Sequence, residues 1–351
     1  MAYTTIKKPS DYFNTILYTG DNSSPRTITG VGFQPDMNWS KIRSEVNDHW
    51  VSDAVRGANK IIRPNGTDDE LVNGSGGYIS SFNSDGYVIA SGSASNNNFN
   101  KSSGTMVSWN WKANGAGSSN TDGDITSTVS ANTTSGFSIV SYTGNLTSGA
   151  TVGHGLGEVP KLVIVKNRSI TEDWFVLHTS ASATAGSYLK LNLTDAVSSG
   201  NSIVFNNTNP TSTVFTVGSV NGTNGSGNNM IAYCFADVQG YSKFGSYTGN
   251  GNADGTFVYT GFKPAFVIFK VTSTTGSWVM NDNKRNTSNV VDKFLIPNLS
   301  NAESTLSTVD FLSNGFKLRT TDSSWNQSGA SYIYMAFAEE PLVGDNPATA
   351  R

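Results

Sequence analysis

The sequence predicts an all-β protein made of three tandem β-sandwich domains. Glycine accounts for 36 of the 351 residues and aromatic residues for 11%, whereas only 14% are charged. Polar turns between short aromatic strands have this composition, and a disordered chain would lack the aromatic residues. One sequence pattern also occurs three times, and within each copy turn signals recur at intervals of about 8–12 residues, as in sandwiches of the jelly-roll or immunoglobulin-like kind. Both kinds remain open at this point.

The pattern is clearest in a strand that follows a proline and ends at a lysine. It occupies residues 32–41, 155–166 and 261–270, and in every copy the lysine lies six positions after the proline. Apolar residues alternate along it, which places one apolar set on one face of the strand. We expect burial on both faces in the second and third copies, and on one face in the first, where Asn38 and Ser40 occupy the other face. The lysines that are expected to mark where each strand meets water are Lys41, Lys166 and Lys270.

A Tyr-Thr-Gly sequence before each of these strands predicts a tight turn. It begins at Tyr18, Tyr142 and Tyr247, 17 or 18 positions before the proline, and continues with Asp or Asn. Glycine and asparagine tolerate the positive φ that tight hairpin turns require. The chain is therefore expected to reverse direction here in every copy.

Two further aromatic positions recur and are predicted to anchor the core. A tryptophan follows the proline by 15 positions in the first copy and by 14 in the other two. A closing strand then ends in an aromatic residue 61, 61 and 59 positions after that tryptophan. An apolar residue that recurs at a fixed place in a repeat is typical of a buried position. The six predicted core anchors are Trp50, Trp174, Trp278, Trp111, Phe235 and Phe337.

The repeat sets the predicted domain boundaries. The first domain is predicted at residues 1–115, the second at 136–240 and the third at 241–340. Residues 116–135, between the first two, are rich in Gly, Ser, Thr, Asp and Asn, which predicts a flexible polar linker. Residues 341–351 are expected to be a tail that lies on the last domain or is free. Three sandwiches in series would form a rod.

The sequence predicts no catalytic, cofactor or metal site. It contains neither a Gly-x-Ser-x-Gly nucleophile motif nor a phosphate-binding glycine loop that ends in Lys-Ser/Thr. The single cysteine, Cys234, lies in an apolar run and is expected to be a buried small hydrophobe. His49 precedes a core anchor at a place that Asp173 and Ser277 hold in the other copies, so we expect it at the surface. We therefore predict that the protein is not an enzyme.

Acidic residues cluster at two places. Residues 68–70 are Asp-Asp-Glu and residues 122–124 are Asp-Gly-Asp. Glycoside hydrolysis needs two carboxylates held on either side of a sugar, but both clusters lie in polar loops and neither recurs among the copies. We interpret them as solvated turn residues, with a loose Ca²⁺ site at Asp122 and Asp124 as the alternative.

Charge and hydropathy patterning narrow the choice of partners. The net charge of −3 gives no basic field to hold nucleic acid or an anionic membrane. No apolar run approaches the length of about 18 residues that a membrane span needs. The first residues are not followed by the apolar stretch of a signal peptide. We expect no nucleic-acid partner, no membrane span and no signal peptide.

Candidate binding residues lie in the long polar loops before the closing strands, because these loops differ among the copies. Trp325 has polar neighbours, and Phe99 lies in the corresponding loop of the first copy. An aromatic ring among short polar side chains suits recognition of a sugar or a protein by stacking and hydrogen bonds. We predict surface recognition at Trp325, Asn326, Gln327 and Phe99. The alternative is that Trp325 folds back to cap its own domain or a neighbouring subunit.

Several motifs together resemble a known family. They are the Tyr-Thr-Gly-Asn-Gly and Gly-Phe-x-Pro sequences, Asp-Ala-Val-Arg-Gly at 53–57, Ser-Phe-Asn-Ser-Asp-Gly-Tyr at 81–87, Trp-Asn-Trp at 109–111 and Ala-Glu-Glu-Pro at 338–341. In these motifs the chain resembles virion structural proteins of marine tailed phages, including cyanophages, over nearly its whole length. The second copy departs from the Ser-Asp-Gly pattern. The resemblance implies a place on the virion after synthesis in the host cytoplasm, and it supplies no catalytic residues.

The resemblance and the composition lead to a hypothesis on function. We expect a non-enzymatic tail fibre or receptor-binding appendage, whose partners are other virion proteins and a glycan or protein of the host surface. Long appendages exploit symmetry, so a homo-oligomer, and specifically a trimer, is expected. The first alternative is a head fibre or capsid decoration protein that binds the capsid through residues 1–11 or the C-terminal tail. An appendage enzyme that degrades polysaccharide is disfavoured because no acid pair recurs.

Overall fold

The computed structural model describes residues 3–93, 98–343 and 347–348, and it confirms the prediction of an all-β protein. In these residues the chain forms 26 strands, two short α-helices and one 3-10 helix. The strands are arranged in six sheets, and their pairing is antiparallel. Each of the three sequence copies contributes two sheets. We call the sheet that holds the strand after the proline and the closing strand the larger sheet and the other the smaller sheet, and in the third copy each of the two has four strands.

The first copy begins with the 3-10 helix at Pro9–Asp11 and contains nine strands. These are β1 (Phe13–Thr19), β2 (Arg26–Thr29), β3 (Met37–Ile42), β4 (Trp50–Asp53), β5 (Gly57–Ile62), β6 (Leu71–Val72), β7 (Gly77–Asn83), β8 (Gly86–Ser91) and β9 (Thr105–Trp111). The larger sheet has the strand order β1-β9-β3-β4-β5-β6, and the smaller sheet has the order β2-β8-β7.

The second copy contains the next nine strands and both α-helices. These are β10 (Ser118–Asn120), β11 (Ser127–Asn132), β12 (Phe137–Thr143), β13 (Thr151–Gly153), β14 (Leu162–Asn167), β15 (Trp174–His178), β16 (Tyr188–Lys190), α1 (Ser202–Phe205), β17 (Val214–Thr216), α2 (Asn221–Asn224) and β18 (Asn229–Phe235). The larger sheet has the order β10-β11-β12-β18-β14-β15-β16, and β13 pairs with β17 in the smaller sheet.

The third copy contains eight strands. These are β19 (Ser242–Thr248), β20 (Phe257–Tyr259), β21 (Phe262–Val271), β22 (Trp278–Asp282), β23 (Val291–Phe294), β24 (Ser304–Leu312), β25 (Gly315–Leu318) and β26 (Ser331–Pro341). The larger sheet has the order β19-β26-β21-β22, and the smaller sheet has the order β20-β25-β24-β23.

The three larger sheets share the same central strands in the same register. In each of them the closing strand lies between the opening strand and the proline strand, as β9 does between β1 and β3. The second residue after the proline pairs with the predicted aromatic anchor of the closing strand in every copy. The pairs are Met37 with Trp111, Leu162 with Phe235, and Phe266 with Phe337. The repeat in the sequence is therefore a repeat of strand pairing.

Residues 116–135 do not form the flexible linker that their composition predicts. They contain β10 and β11, and β11 pairs with β12 along its whole length. The Ser130 hydroxyl also accepts a 2.8 Å hydrogen bond from the backbone N–H of Asn114. Ser and Thr are compatible with strands near the edge of a sheet, so a polar composition does not by itself separate a linker from such strands.

The three larger sheets pack around one central core. The Phe13 ring of the first copy lies 5.0 Å from the Phe337 ring of the third copy, and Phe337 lies 6.0 Å from Phe235 of the second. One face of every larger sheet contributes apolar side chains to this core. The copies are therefore not arranged in series as a rod, because each of them covers the apolar faces of the other two.

The opposite face of each larger sheet packs within its own copy. There it meets the smaller sheet in a separate apolar cluster, which includes Tyr87 in the first copy, Phe215 in the second and Phe316 in the third. Every larger sheet is thus covered on both faces.

The proline strand of the first copy is also buried on both faces, contrary to expectation. All six residues of β3 are buried. Asn38 donates a 2.8 Å hydrogen bond to the Asn110 side chain, and the Ser40 hydroxyl donates one of 2.5 Å to the Asn38 side chain. Buried polar groups that bond one another in this way lose little of the hydrogen bonding that water would provide. The polar pattern of β3 therefore indicates a buried network and not a solvated face.

All six predicted core anchors are buried, and so is Cys234. Burial raises the pKa of the Cys234 thiol. Five of the anchors belong to the central core, whereas Trp50 belongs to the cluster of the first copy.

The two ends of the chain lie against the third copy. The Tyr3 hydroxyl donates a 2.6 Å hydrogen bond to the carbonyl of Gly261. Pro341 pairs with the adjacent residue, Phe262. The described N-terminal residues are therefore packed and do not form a free arm. The remaining parts of the predicted arm and tail, residues 1–2, 344–346 and 349–351, lie outside the described residues.

Candidate functional site

The lysines that end the proline strands are buried, which corrects the expectation that they meet water. Lys41, Lys166 and Lys270 are 0% exposed. Each ammonium group donates hydrogen bonds to two backbone carbonyls. Lys41 donates to the carbonyls of Ile42 and Glu45, at 2.6 and 3.2 Å. Lys166 donates to those of Glu172 and Thr67, at 2.7 and 2.9 Å. Lys270 donates to those of Val271 and Thr194, at 2.7 and 3.3 Å. Desolvation penalises the charged form and lowers the pKa of each lysine to about 8.

Two of these lysines connect neighbouring copies. Lys166 of the second copy bonds the carbonyl of Thr67 in the first, and Lys270 of the third copy bonds that of Thr194 in the second. The lysine ends of the second and third proline strands therefore each meet a loop of the preceding copy. We call this contact a junction. The lysine satisfies backbone carbonyls that the junction removes from water.

A tryptophan reinforces the same two junctions. The indole N–H of Trp174 donates a 2.9 Å hydrogen bond to the carbonyl of Arg63, and that of Trp278 donates one of 2.9 Å to the carbonyl of Lys190. Both indoles lie in the central core. The regular spacing of these tryptophans thus indicates a contact between copies as well as a core position.

The first copy places a histidine where the other two place this tryptophan. Across the paired strands Lys166 lies opposite Trp174 and Lys270 lies opposite Trp278. In the first copy Trp50 lies opposite Ser40, the residue before the corresponding Lys41, so the register is shifted by one residue. A shift of one residue sends a side chain to the opposite face of a sheet.

His49 therefore points to the central side of the sheet. Its Nε2 lies 3.1 Å from the carbonyl of Ile296 in the third copy, and its Nδ1 accepts a 3.0 Å hydrogen bond from the indole of Trp39. The expectation that His49 lies at the surface is wrong, because it is 0% exposed. Burial also lowers the pKa of this imidazole well below its ordinary value.

The contact of His49 with Ile296 belongs to a third junction, which closes the ring between the first and third copies. There the Arg43 guanidinium donates hydrogen bonds of 2.8 and 2.7 Å to the two carboxylate oxygens of Glu303. Arg168 and Glu70 form the same paired contact, at 2.8 and 2.9 Å, at the junction of the second copy with the first. The three copies therefore make a cycle of junctions.

The junction of the third copy with the second lacks this ion pair. Thr272 and Val197 occupy the corresponding places, and the backbone N–H of Val197 donates a 2.9 Å hydrogen bond to the carbonyl of Thr272. The backbone N–H of Glu303 bonds the carbonyl of Arg43 in the same manner, at 2.8 Å. The backbone contact is common to the junctions, whereas the ion pair is not.

Two buried carboxylates are committed to structural contacts. Asp53 accepts hydrogen bonds from the side chain of Arg56 at 2.5 Å and from the Tyr233 hydroxyl of the second copy at 2.7 Å. Asp282 of the third copy accepts corresponding bonds from Arg285 at 2.5 Å and from the indole of Trp109 at 3.0 Å. These acids join neighbouring copies, and they have no exposed face for a substrate.

The second copy has a histidine at the position of these acids, since His178 pairs with Leu162 as Asp53 pairs with Met37. His178 Nε2 lies 3.2 Å from the carbonyl of Tyr334, and its Nδ1 accepts a 3.2 Å hydrogen bond from the N–H of Ser180. Burial lowers the pKa of this imidazole to about 4.

Three of the four predicted recognition residues are buried, which corrects the prediction of a surface site. Trp325, Asn326 and Phe99 are 2%, 0% and 1% exposed, whereas Gln327 is exposed. The Trp325 indole donates a 3.2 Å hydrogen bond to the Asn281 side chain. The alternative, in which Trp325 caps its own domain, agrees with this packing.

The loops that carry these residues are more alike than their sequences indicate. Each has a buried asparagine whose side-chain oxygen accepts a hydrogen bond from the turn after the opening strand. The pairs are Asn100 with the N–H of Asp21, Asn224 with that of Asn145, and Asn326 with that of Asn250, at 3.1, 2.9 and 2.9 Å. The match is not evident from the sequence, because the residues around each asparagine differ.

The register shift of the first copy leaves Trp50 beside a polar cleft of about 440 Å³. The cleft lies where the first copy meets the third, since Ser300 of the third copy forms part of its wall. The β3–β4 loop and the region between β5 and β7 form most of its walls, and Trp50, Asn98 and Ser300 complete them. The lining residues are Val46, Asn47, Asp48, Trp50, Arg63, Leu71, Gly74, Ser75, Gly76, Asn98 and Ser300. We call this the Trp50 cleft.

Hydrogen-bonding side chains are fixed along the Trp50 cleft. Arg63 bridges Asp48 at 3.0 Å and Asp68 at 2.7 Å. The Asn47 side chain donates a 2.7 Å hydrogen bond to that of Asn98. The Arg63 guanidinium lies 5.7 Å from the Trp50 ring centre, within the range of a cation–π contact. A charged and aromatic wall of this kind can contact a polar ligand of low net charge.

Two donors at the Trp50 cleft lack hydrogen-bond partners. The indole Nε1 of Trp50 and the Nε of Arg63 are both buried and unbonded. Trp50 is 6% exposed. Such groups are uncommon in native proteins and call for an explanation. The only signal of this site in the sequence is the spacing of 15 instead of 14 residues between proline and tryptophan in the first copy.

The acidic cluster at residues 122–124 uses its carboxylates locally. Asp124 accepts hydrogen bonds of 3.0 and 2.9 Å from the N–H and hydroxyl of Thr151, and Asp122 accepts one of 2.7 Å from Asn120. Among the described residues, no group of three or more His, Cys, Asp or Glu side chains is placed to hold a metal ion.

These features define an all-β protein with three related sets of sheets, one central core and a polar cleft where the first and last copies meet. The chain belongs to the family described as a domain of unknown function, DUF7483, whose model matches residues 8–341. No curated protein matches the sequence. No helix in the described part of the chain is long and apolar enough to cross a membrane.

Proposed function

We propose that this protein is a non-enzymatic structural component of a tailed-phage virion, namely a tail fibre or receptor-binding appendage that contacts the host surface. The observation that supports this most directly is the central core, in which the larger sheets of three copies surround one centre within a single chain. We propose that the three copies are three β-sandwich units, each made of a larger and a smaller sheet. Appendages of particles commonly use rotational symmetry, and this chain has a threefold arrangement of its own.

The ring of junctions suits a rigid module. Ion pairs, indole hydrogen bonds and buried lysines connect copies that are far apart in sequence. Contacts of this kind resist the separation of one copy from the others. We propose that other virion proteins are its partners inside the particle, and that a glycan or protein of the host surface is its partner outside.

The buried acids support the non-enzymatic part of the proposal. Asp53 and Asp282 are each bonded to an arginine and to an aromatic side chain. A glycosidase needs carboxylates that face a sugar. Purified protein incubated with host polysaccharide should leave the chain length of the polysaccharide unchanged, and shortened product would establish the enzyme alternative.

Localisation on the particle tests the proposal. Antibodies against the chain, applied to intact virions and viewed by electron microscopy, should label the tail. Labelling of capsid faces or vertices would instead establish the head fibre or decoration protein. Absence of the chain from purified virions would overturn both.

The predicted homotrimer is a separate part of the proposal. Sedimentation equilibrium of the purified protein should give a mass three times that of the 37.3 kDa chain. A single-chain mass at all concentrations would contradict the trimer and leave the threefold arrangement within one chain as the only symmetry.

A further inference from the structure

We propose that the Trp50 cleft binds a neutral saccharide. A neutral saccharide would be the ligand class for the host-contacting role, so the biological meaning of this binding rests on the proposed function. The binding itself can be tested on the isolated protein.

The size of the cleft suits a small ligand. Its volume of about 440 Å³ is within the range of roughly 300–1,000 Å³ that is typical of small-molecule sites. The cleft is open to solvent, and its lining includes polar residues, such as Asn47 and Asp48, and apolar ones, such as Trp50 and Leu71. One or two sugar rings of an oligosaccharide can enter it from the open side.

The unbonded donors indicate a ligand that can accept hydrogen bonds. Trp50 Nε1 and Arg63 Nε are buried without partners. Arg63 is 25% exposed at its side chain, so a small rotation of this residue can turn its own Nε to an oxygen atom in the cleft. The guanidinium lies over the Trp50 ring, so the indole Nε1 reaches a ligand only if the side chains around it shift as well. A sugar hydroxyl can accept from these donors and donate to a carboxylate at the same time.

Asp48 and the paired asparagines complete this set of groups. Asp48 already accepts from Asn65 at 2.7 Å and from Arg63 at 3.0 Å. The side-chain nitrogen of Asn47 donates a hydrogen bond to the side-chain oxygen of Asn98. These mutual bonds fix the side chains before a ligand arrives, which lowers the entropy that binding must overcome.

The charge of the cleft excludes an acidic ligand. One guanidinium, that of Arg63, faces two carboxylates, Asp48 and Asp68. The guanidinium is therefore neutralised, and the net charge around it is negative. A uronic acid or a phosphorylated sugar would meet repulsion, whereas a neutral sugar would not.

The position of the cleft also distinguishes it from the rest of the ring. Trp174 and Trp278 use their indole N–H groups to join neighbouring copies. In the first copy His49 replaces them at the junction. Trp50 is thereby free of the junction role, and its ring lines the cleft. The small part of its ring that stays exposed, together with Leu71, can contact the C–H groups of a sugar ring.

Titration calorimetry of the full chain with the methyl glycosides of glucose, galactose and mannose, and with their disaccharides, tests the proposal. At least one neutral probe should bind saturably, and glucuronic and galacturonic acid should bind more weakly. Asn47→Ala and Trp50→Phe should each weaken binding by about tenfold or more, because each loses a hydrogen-bonding group. Gln327→Ala is the matched control on an exposed loop of the third copy, and it should bind as the unchanged protein does.

Three outcomes would overturn the proposal. They are no saturable binding of any neutral probe, tighter binding of the uronic acids, and unchanged binding in both cleft variants. Asn47 is partly exposed, so Asn47→Ala remains informative if Trp50→Phe fails to fold. Virion localisation is measured independently: a chain absent from particles that still binds sugar contradicts the proposed function alone, and a tail protein that binds no sugar contradicts only this inference.

Discussion

The indole N–H of Trp174 donates a 2.9 Å hydrogen bond to the carbonyl of Arg63, a residue of the preceding copy. The same arginine extends its guanidinium toward the Trp50 cleft, where it bonds Asp48 and Asp68. One residue therefore takes part in both a junction and the candidate binding site. A change at the junction that moves the backbone of Arg63 is expected to reach the cleft.

Replacement of Trp325 tests whether this residue is part of the core. Trp325→Ala should lower the free energy of unfolding by about 3–5 kcal/mol, as should Trp278→Ala, because both remove a large buried side chain. Urea unfolding followed by fluorescence measures the change. Gln327→Ala, two residues further along the chain, should change it by less than about 0.5 kcal/mol. A loss of that small size for Trp325→Ala would show that the residue is exposed.

The ion pair that closes the ring should stabilise the protein more than a surface pair does. Glu303 bonds Arg43 and Arg285, and its side chain is 14% exposed. Glu303→Ala leaves the Arg43 guanidinium without its carboxylate and removes the second of the two carboxylates that Arg285 bonds, so it should cost about 3–5 kcal/mol. The exposed pair Lys8 and Asp11 is the matched control, and Asp11→Ala should cost less than about 1 kcal/mol. Equal costs would mean that the junction does not contribute to stability.

The buried lysines predict a rise of stability in mild alkali. Their folded pKa of about 8 lies below the ordinary value of 10.5. Between these pH values the unfolded chain holds more protons than the folded chain, so the free energy of unfolding increases with pH. Each lysine can contribute up to about 3 kcal/mol over that interval.

Buried tyrosines oppose this rise at higher pH. Burial raises the pKa of Tyr142 and Tyr247 well above 10, so the unfolded chain loses these protons first and stability then falls. Urea unfolding should therefore give a maximum between pH 8 and about 10. Lys166→Met should reduce the rise, whereas Lys8→Met, at an exposed lysine, should leave it unchanged. A steady fall from pH 7 to pH 10 would contradict this prediction.

Acid should destabilise the protein through His178. Its folded pKa of about 4 lies below the ordinary 6.5. Its contribution is fully present above pH 6.5 and is lost as the pH falls toward 4, because the unfolded chain binds the proton more readily. The loss should reach about 3 kcal/mol. A proton on Nδ1 would also break the hydrogen bond from Ser180.

His178→Gln removes the titrating group and should flatten the acid limb between pH 6.5 and 4. His49 and His154 also have lowered pKa values, so part of the acid dependence should persist in this variant. Melting temperatures measured across that range give the comparison. Identical acid limbs for the variant and the unchanged protein would exclude His178 as a contributor.

The sequence predicted the strands better than their arrangement. The positions of the proline strands and of the six aromatic anchors follow from local patterns. The alternation along β3 did not report its burial, because its polar residues are buried as well. The burial of Lys41, Lys166 and Lys270 does not follow from such patterns. A lysine at the end of a strand is usually solvated, and here the carbonyls that accept its hydrogen bonds include some from another copy.

The candidate site could be predicted only in part. Phe99 and Trp325 lie in loops whose sequences differ, but the buried asparagine beside each one holds the turn after the opening strand. The difference that places Trp50 beside a cleft is one residue in the spacing after Pro35. Its meaning depends on the register of β3 with β4 and on the loop of the third copy that reaches Ser300. Neither is visible in a single stretch of sequence.

The cycle of junctions separates the order of the copies along the chain from their order in space. Both ends of the described chain lie at neighbouring residues, since Tyr3 bonds Gly261 and Pro341 pairs with Phe262. Ends that lie close together allow a circular permutation. A rearranged chain that starts with the second or the third copy and joins residue 341 to residue 3 by a short linker should therefore still bury the same central core. The closed arrangement leaves the starting point of the polypeptide open to change during evolution.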